Sequence, residues 1–148
     1  MPSRPCALGF KKQDDISFED TFVPTAKMPS VRMFQQVSKS EGLLTDQLDF
    51  SSAYLNSDIN TETYVTQPEG YKVLSENGTK LVCKLKKGLY GLKQSGRLWN
   101  NLLTTFLSNE GYQRSLADPC LYSKHFGKNK ILILIWVDDL IILHPILN

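Results

Sequence analysis

The chain has 148 residues, 41% of them apolar and 22% charged, which fits a soluble globular protein with a real core. Its net charge of +2 is too small to imply a nucleic-acid partner by itself, and three distant cysteines (Cys6, Cys83, Cys120) exclude a disulfide frame or a CxxC zinc site and suggest free thiols. The N-terminus lacks a secretory signal, and the most apolar run, 131–143, is too short to span a bilayer and holds two acids, so no membrane role and a cytoplasmic location are expected.

Residues 1–30 carry four of the seven prolines and read as loop. A short helix is expected over 31–40. The stretch LLTDQLDF, 43–50, reads as a strand ending near Asp49. Residues 63–66 form a short strand closed by the turn Gln67-Pro68-Glu69-Gly70. Asn77-Gly78 marks a hairpin turn before a strand over 80–85. The clearest helix is 95–110. There Trp99, Leu102, Leu103, Phe106 and Leu107 make one apolar stripe, Ser95 is a candidate N-cap, and Gly111 a C-terminal stop. Strands follow at 120–126 and 130–137, joined by Gly127-Lys128-Asn129, and a last one at 140–143. The mixture is an α+β pattern.

Within ILILIWVDDLIIL (131–143) only Asp138 and Asp139 are polar. A two-residue hairpin turn at these acids is the natural reading, yet such turns prefer Asn-Gly or Asp-Gly because they need positive φ. Adjacent carboxylates also repel and lose solvation if their strands are buried. A hard divalent cation would relieve both problems, and magnesium commonly uses one or two carboxylates plus substrate phosphates. A surface turn with two solvated acids is the plain alternative. A second acid at a strand end, Asp49, favours the metal: if the strands are neighbours, the acids converge into a site able to hold two cations about 4 Å apart, suited to phosphoryl transfer. A two-carboxylate hydrolase would also need paired acids, but the flanking motifs add nothing to it.

Those flanking motifs are QLDFSSAYLNSDINTETYVTQPEGY, VCKLKKGLYGLKQSGRLWN and YSKHFGKNKILILIWVDDLIIL, preceded by GFKKQDDISFEDTFVPTAKMPSVR. In order and spacing the chain resembles the reverse transcriptase of copia-type long-terminal-repeat retrotransposons from about Gly9 to Leu143. The resemblance implies a right-hand polymerase palm with partial fingers, truncated before the end of the palm and the thumb. Residues 1–40 would be partial fingers and 41–148 a palm core with fingers insertions, together a single incomplete reverse transcriptase domain. It implies Asp49 and Asp138 as catalytic, metal-holding carboxylates and Asp139 as a third, weaker or indirect one. The cofactor would be Mg2+, with Mn2+ as a substitute.

By the same resemblance, Tyr54 sits under the sugar of an incoming deoxynucleoside triphosphate and excludes a 2′-hydroxyl. GLYGLKQSG lines the nucleotide and template side, with Gly91 allowing close backbone approach and Gln94 near the template or nucleotide. The run from Lys80 to Arg97 has six basic residues and no acid. In it Lys84, Lys86, Lys87, Lys93 and Arg97 suit phosphate contacts with an RNA or DNA template and its primer. Arg4 would match a fingers arginine on the triphosphate. His125 and His144 receive no role. The chain departs from the family pattern at Trp136 (usually tyrosine), Ser57 (usually glycine) and Ser95-Gly96 (usually Ala-Pro). With the thumb and RNase H regions of such polyproteins missing, the chain is expected to turn over poorly alone. The alternative is a non-catalytic transposon remnant that at most binds nucleic acid.

Overall fold

The structure is a computed structural model and describes Cys6 and residues 23–146. The loop expected over most of 1–30 and the role of Arg4 lie largely outside these residues. The described residues divide into two compact units: Ser52–Trp99 forms one, and Val23–Ser51 with residues 100–146 forms the other.

In the second unit, α1 (Met28–Glu41) starts earlier than the apolar pattern suggests. Pro29 stands in its first turn, where a missing N–H costs nothing. Gly42, at φ +63, ends it, and its N–H and that of Leu43 both donate to Ser38 O. The chain then enters β1 (Leu44–Asp49). The remaining strands of this unit are β4 (Gln113–Arg114), β5 (Leu121–Phe126), β6 (Asn129–Trp136) and β7 (Asp139–His144). They pair with β1 into one antiparallel five-stranded sheet of order β1-β7-β6-β5-β4.

The middle of this sheet is buried on both faces. Ile133, Leu134 and Ile135 are consecutive in β6 and all covered, as are Tyr122, Leu140 and Leu143 on its neighbours. Phe34 of α1 is buried in this unit, and so are Leu103 and Leu107 of α2 (Lys93–Asn109), the helix whose residues from Asn100 on count here. Each such side chain contributes about 1.5–3 kcal/mol on burial. Along β1, by contrast, all six residues are exposed, Leu44 and Leu48 included. It is an edge strand among the described residues.

The first unit holds a 3-10 helix at Ala53–Asn56 and a two-stranded antiparallel sheet of β2 (Tyr64–Thr66) and β3 (Val82–Lys84). Between those strands, Gln67 replaces main chain with side chain. Its Nε2 donates to Val73 O (2.9 Å) and Leu81 O (2.8 Å), and its Oε1 accepts from Val73 N. The Asn77-Gly78 turn forms as expected: Gly78 has φ +73 and its N–H donates to Ser75 O (2.9 Å). α2 begins at Lys93, so Ser95 is inside the helix and not its N-cap. Its fully buried hydroxyl instead accepts from Leu89 N (2.9 Å). Gly111, at φ +82, is the stop the sequence suggests, with Tyr112 N donating to Leu107 O (2.9 Å). The 3-10 helix and β4 were not anticipated; both are too short for a periodic signal.

The described residues thus form two α-helices and antiparallel sheets, a mixed α/β architecture. Cys83 and Cys120 are free thiols. Among the described residues no helix is long and apolar enough to cross a membrane.

Candidate active site

The three acids singled out in the sequence lie at one end of the five-stranded sheet. β1 pairs with β7, and in that register Asp49 stands directly opposite Asp139. Phe50 N donates to Asp138 O (3.0 Å). That bond lies one residue beyond the 49–139 pair, which is therefore the closer, non-hydrogen-bonded kind, with Cα atoms about 4.5 Å apart. On the other side of β7, Asp139 stands opposite Trp136. Paired residues share a face, so Asp49, Asp139 and Trp136 form a row across β1, β7 and β6. Trp136 is 43% exposed there.

The hairpin turns one residue earlier than expected. Val137 and Asp138 are its two central residues, and Asp139 is already strand. Val137 carries φ +59, while Asp138 is not among the positive-φ residues. Positive φ at the first central position alone marks a type II′ connection, which favours glycine there. A β-branched residue in that conformation costs about 1–3 kcal/mol. The strain keeps Asp139 paired on both sides, to Trp136 and to Asp49, and leaves Asp138 at the tip of the turn. Asp138 and Asp139 are half-buried and Asp49 is exposed.

Asp49 and Asp139 are register partners on adjacent strands, Asp138 stands in the adjoining turn, and no ion pair among the described residues involves any of the three. Like charges placed so are destabilising unless something positive intervenes. Their oxygens are the hard donors that magnesium or manganese takes. Among the described residues no three or more His, Cys, Asp or Glu side chains gather into a ready-made cage.

The nucleotide-side residues lie in the first unit. Tyr54 is in the 3-10 helix, half-buried, and its ring meets that of Tyr90 with centroids 4.4 Å apart and planes tilted by 37°. Gly91 is exposed at φ +90, a conformation that glycine permits. Gln94 is buried and its Nε2 donates to Thr63 Oγ1 (3.3 Å). Gly88 leaves no room for a side chain: a Cβ there would lie 2.6 Å from Tyr54 O and 2.9 Å from Ser57 Oγ.

The basic run divides. Lys84 pairs with Glu62, which raises its pKa through that hydrogen bond and charge, and Lys87 pairs with Asp58 at 2.7 Å. Lys86 is exposed and enters no ion pair among the described residues, Lys93 is exposed, and Arg97 is half-buried. Sequence reasoning had no means of seeing the two carboxylate partners, which are 22 and 29 residues away from their lysines.

Asp118 was missed altogether. It is 2% exposed and accepts from Lys27 N (3.0 Å), the Ser30 hydroxyl and Cys120 N (2.9 Å). Lys27 caps α1 without a side-chain bond of its own, so Asp118 supplies the cap from 91 residues away, negative charge at a helix N-terminus. Burial pushes its carboxyl up, but the bonds from Ser30, Lys27 and Cys120 outweigh burial and hold it below the usual carboxylate range. Next to it, burial and then the Asp118 charge push the Cys120 thiol up to about 11, which makes it inert. An Asp-Pro step before a strand is too common a signal to have revealed this role.

The sequence model of the family described as "Reverse transcriptase (RNA-dependent DNA polymerase)" matches residues 1–145. The chain is 39% identical over 141 residues to the Retrovirus-related Pol polyprotein from transposon TNT 1-94 of Nicotiana tabacum, covering 95% of this chain and 10% of the relative. It is 32% identical over 140 residues to the Retrovirus-related Pol polyprotein from transposon RE2 of Arabidopsis thaliana, again 95% of this chain and 10% of the relative. It is 32% identical over 145 residues to the Transposon Ty1-H Gag-Pol polyprotein of Saccharomyces cerevisiae, covering 94% of this chain and 8% of the relative. The chain thus spans about a tenth of the length of the curated relatives it matches. No solved structure matches it at a significant level. Across nearly its whole length, the chain belongs to the reverse transcriptase family, as found in the Pol polyproteins of copia-type retrotransposons.

Proposed function

We propose that this chain carries the metal and nucleotide sites of an RNA-directed DNA polymerase, adding a deoxynucleotide to a primer 3′-hydroxyl. The observation that carries this is the register: Asp49 opposite Asp139, with Asp138 in the adjoining turn and no cationic side chain paired to them among the described residues. In this reading the chain is a palm core with fingers insertions (41–148) and partial fingers (1–40).

Asp49 and Asp138 would hold the cations, Mg2+ or Mn2+, with Asp139 as the accessory acid. When bound, the metals activate the primer hydroxyl and neutralise the triphosphate and leaving pyrophosphate. The residues of the chain position the rest. Tyr54 stands under the sugar, Gly91 admits close backbone approach, and Gln94 orients the nucleotide side from a buried hydrogen bond to Thr63. Lys86, Lys93 and Arg97 meet phosphates of the RNA or DNA template and primer. Lys84 and Lys87 join them only by leaving Glu62 and Asp58. The partners in an intracellular setting are template–primer, dNTP, and the thumb and RNase H regions of a longer Pol polyprotein.

The test is metal-dependent binding of dGTP to the full chain, titrated with Mg2+ and Mn2+. Asp49→Asn and Asp138→Asn are expected to weaken it at least about tenfold, because each removes a charged ligand. Binding that is indifferent to metal, or unchanged in both variants, overturns the polymerase reading. Salt-sensitive nucleic-acid binding without metal dependence would instead favour the non-catalytic remnant.

A further inference from the structure

We infer that Tyr90 is a positioning residue for Tyr54: its ring fixes where the Tyr54 ring stands against the sugar and so sets the preference for deoxyribose over ribose. This rests on the sugar-gate reading of Tyr54 proposed above. Tyr54 enters its 3-10 helix through Ser52, which sits in the left-handed region at φ +58. The carbonyl of Tyr54 is then held by one residue twice, accepting from Ser57 N (3.3 Å) and Ser57 Oγ (2.9 Å).

The loop that carries Tyr90 is docked on this same turn. Gly88 N donates to Ser57 O (2.9 Å). Gly88 itself packs so closely that a Cβ would lie 2.6 Å from Tyr54 O, 2.9 Å from Ser57 Oγ and 3.2 Å from Ser95 Oγ. Ser95, wholly buried, takes the Leu89 N–H (2.9 Å) and holds the other side of the loop. Two of the residues that depart from the family pattern, Ser57 and Ser95, are thus the two hydroxyls of this clasp.

With both backbones fixed, the remaining freedom of Tyr54 is its own side-chain torsions. The Tyr90 ring, 4.4 Å away and tilted by 37°, occupies one side of it, within the range of favourable aromatic pairing. A gate that rejects one hydroxyl must be held to about 0.5 Å, and that is done by the residue packed behind it. A smaller side chain at position 90 lets the Tyr54 ring recede into the space left and admits the 2′-hydroxyl.

The test is competitive binding of dGTP and GTP, with Mn2+, to the full chain and to Tyr90→Phe, Tyr90→Leu and Tyr90→Ala, with circular dichroism melts to confirm folding. Wild type is expected to prefer dGTP, and Tyr90→Phe to keep that ratio because it keeps the ring. In Tyr90→Leu and Tyr90→Ala the ratio falls about tenfold, the upper end of what one aromatic pair is worth. The fall comes from tighter GTP binding, with dGTP affinity nearly unchanged, which a general loss of structure would not produce. If Tyr90→Ala does not fold, Tyr90→Leu decides. An unchanged ratio in folded Tyr90→Leu overturns the inference and leaves metal-dependent nucleotide binding intact. A wild type that binds dGTP without any sugar preference removes the gate reading, and the inference with it.

Discussion

Replacing Asp139 by asparagine should make the metal-free protein more stable while weakening its response to metal. Asp49 and Asp139 are a closely spaced cross-strand pair, and no ion pair among the described residues reaches either. Two unit charges about 5 Å apart repel by about 0.8 kcal/mol in water and about 3 kcal/mol at an effective dielectric of 20. Asp49 is exposed and Asp139 half-buried, so the lower part of that range applies, about 1 kcal/mol. For a chain of this length that is a rise of about 3 °C in melting temperature. The assay is thermal unfolding by circular dichroism in EDTA, at low and at high salt, then with excess Mn2+. Asp139→Asn should melt higher than wild type in EDTA at low salt, with the gap closing as salt screens the pair. Wild type should gain more from Mn2+ than the variant does. A variant that melts at or below wild type in EDTA, and gains as much from Mn2+, would refute the claim that this pair is an electrostatic liability relieved by a cation.

Val137→Gly should raise the urea midpoint by an amount equivalent to about 1 kcal/mol, because glycine adopts φ +59 without strain. Asp118→Ala leaves the Lys27 and Cys120 amides and the Ser30 hydroxyl without their buried acceptor, and should cost about 3 kcal/mol in urea unfolding at pH 7. Since the folded Asp118 carboxyl titrates below its unfolded value, its contribution is present above about pH 4 and lost as pH falls further. Asp118→Asn should therefore narrow its stability gap from wild type between pH 5 and pH 2. In filter binding to an RNA–DNA hybrid, Lys86→Ala should lower the salt slope by about 1, while Lys84→Ala, whose lysine already faces Glu62, should change it less.

Much of the sheet was legible because residues 131–137 are continuously apolar and the turn residues Gly127-Lys128-Asn129 mark where the preceding strand ends. The strands of 121–126 and 129–136 fall within two residues of the expected bounds. That an acid at the end of 43–50 could meet the Asp-Asp pair was also legible, since strand-end acids converge when strands are neighbours. Which acid faces Asp49 was not. Local turn preference puts both acids at the centre, whereas two-sided pairing of β7 draws Asp139 into the ladder and leaves the strain on Val137. The Tyr54–Tyr90 contact and the Asp118 cap join residues 36 and 91 positions apart, Tyr54 with Tyr90 and Lys27 with Asp118. No periodicity encodes such distances. Ser95 was read as a cap from its place before an apolar stripe. The helix starts two residues sooner, and the hydroxyl serves the preceding loop.

The exposed edge of β1 has a kinetic consequence. Asp49 sits at the end of a strand bonded on one flank only among the described residues, and such strands fray before the centre of a sheet does. Each opening carries residue 49 away from residue 139. A divalent ion that bridges the two sides must hold the fray shut, so some of its affinity is spent on ordering β1. Amide hydrogen exchange over residues 44–49 should accordingly slow when the ion binds, while exchange in β6 stays as it was.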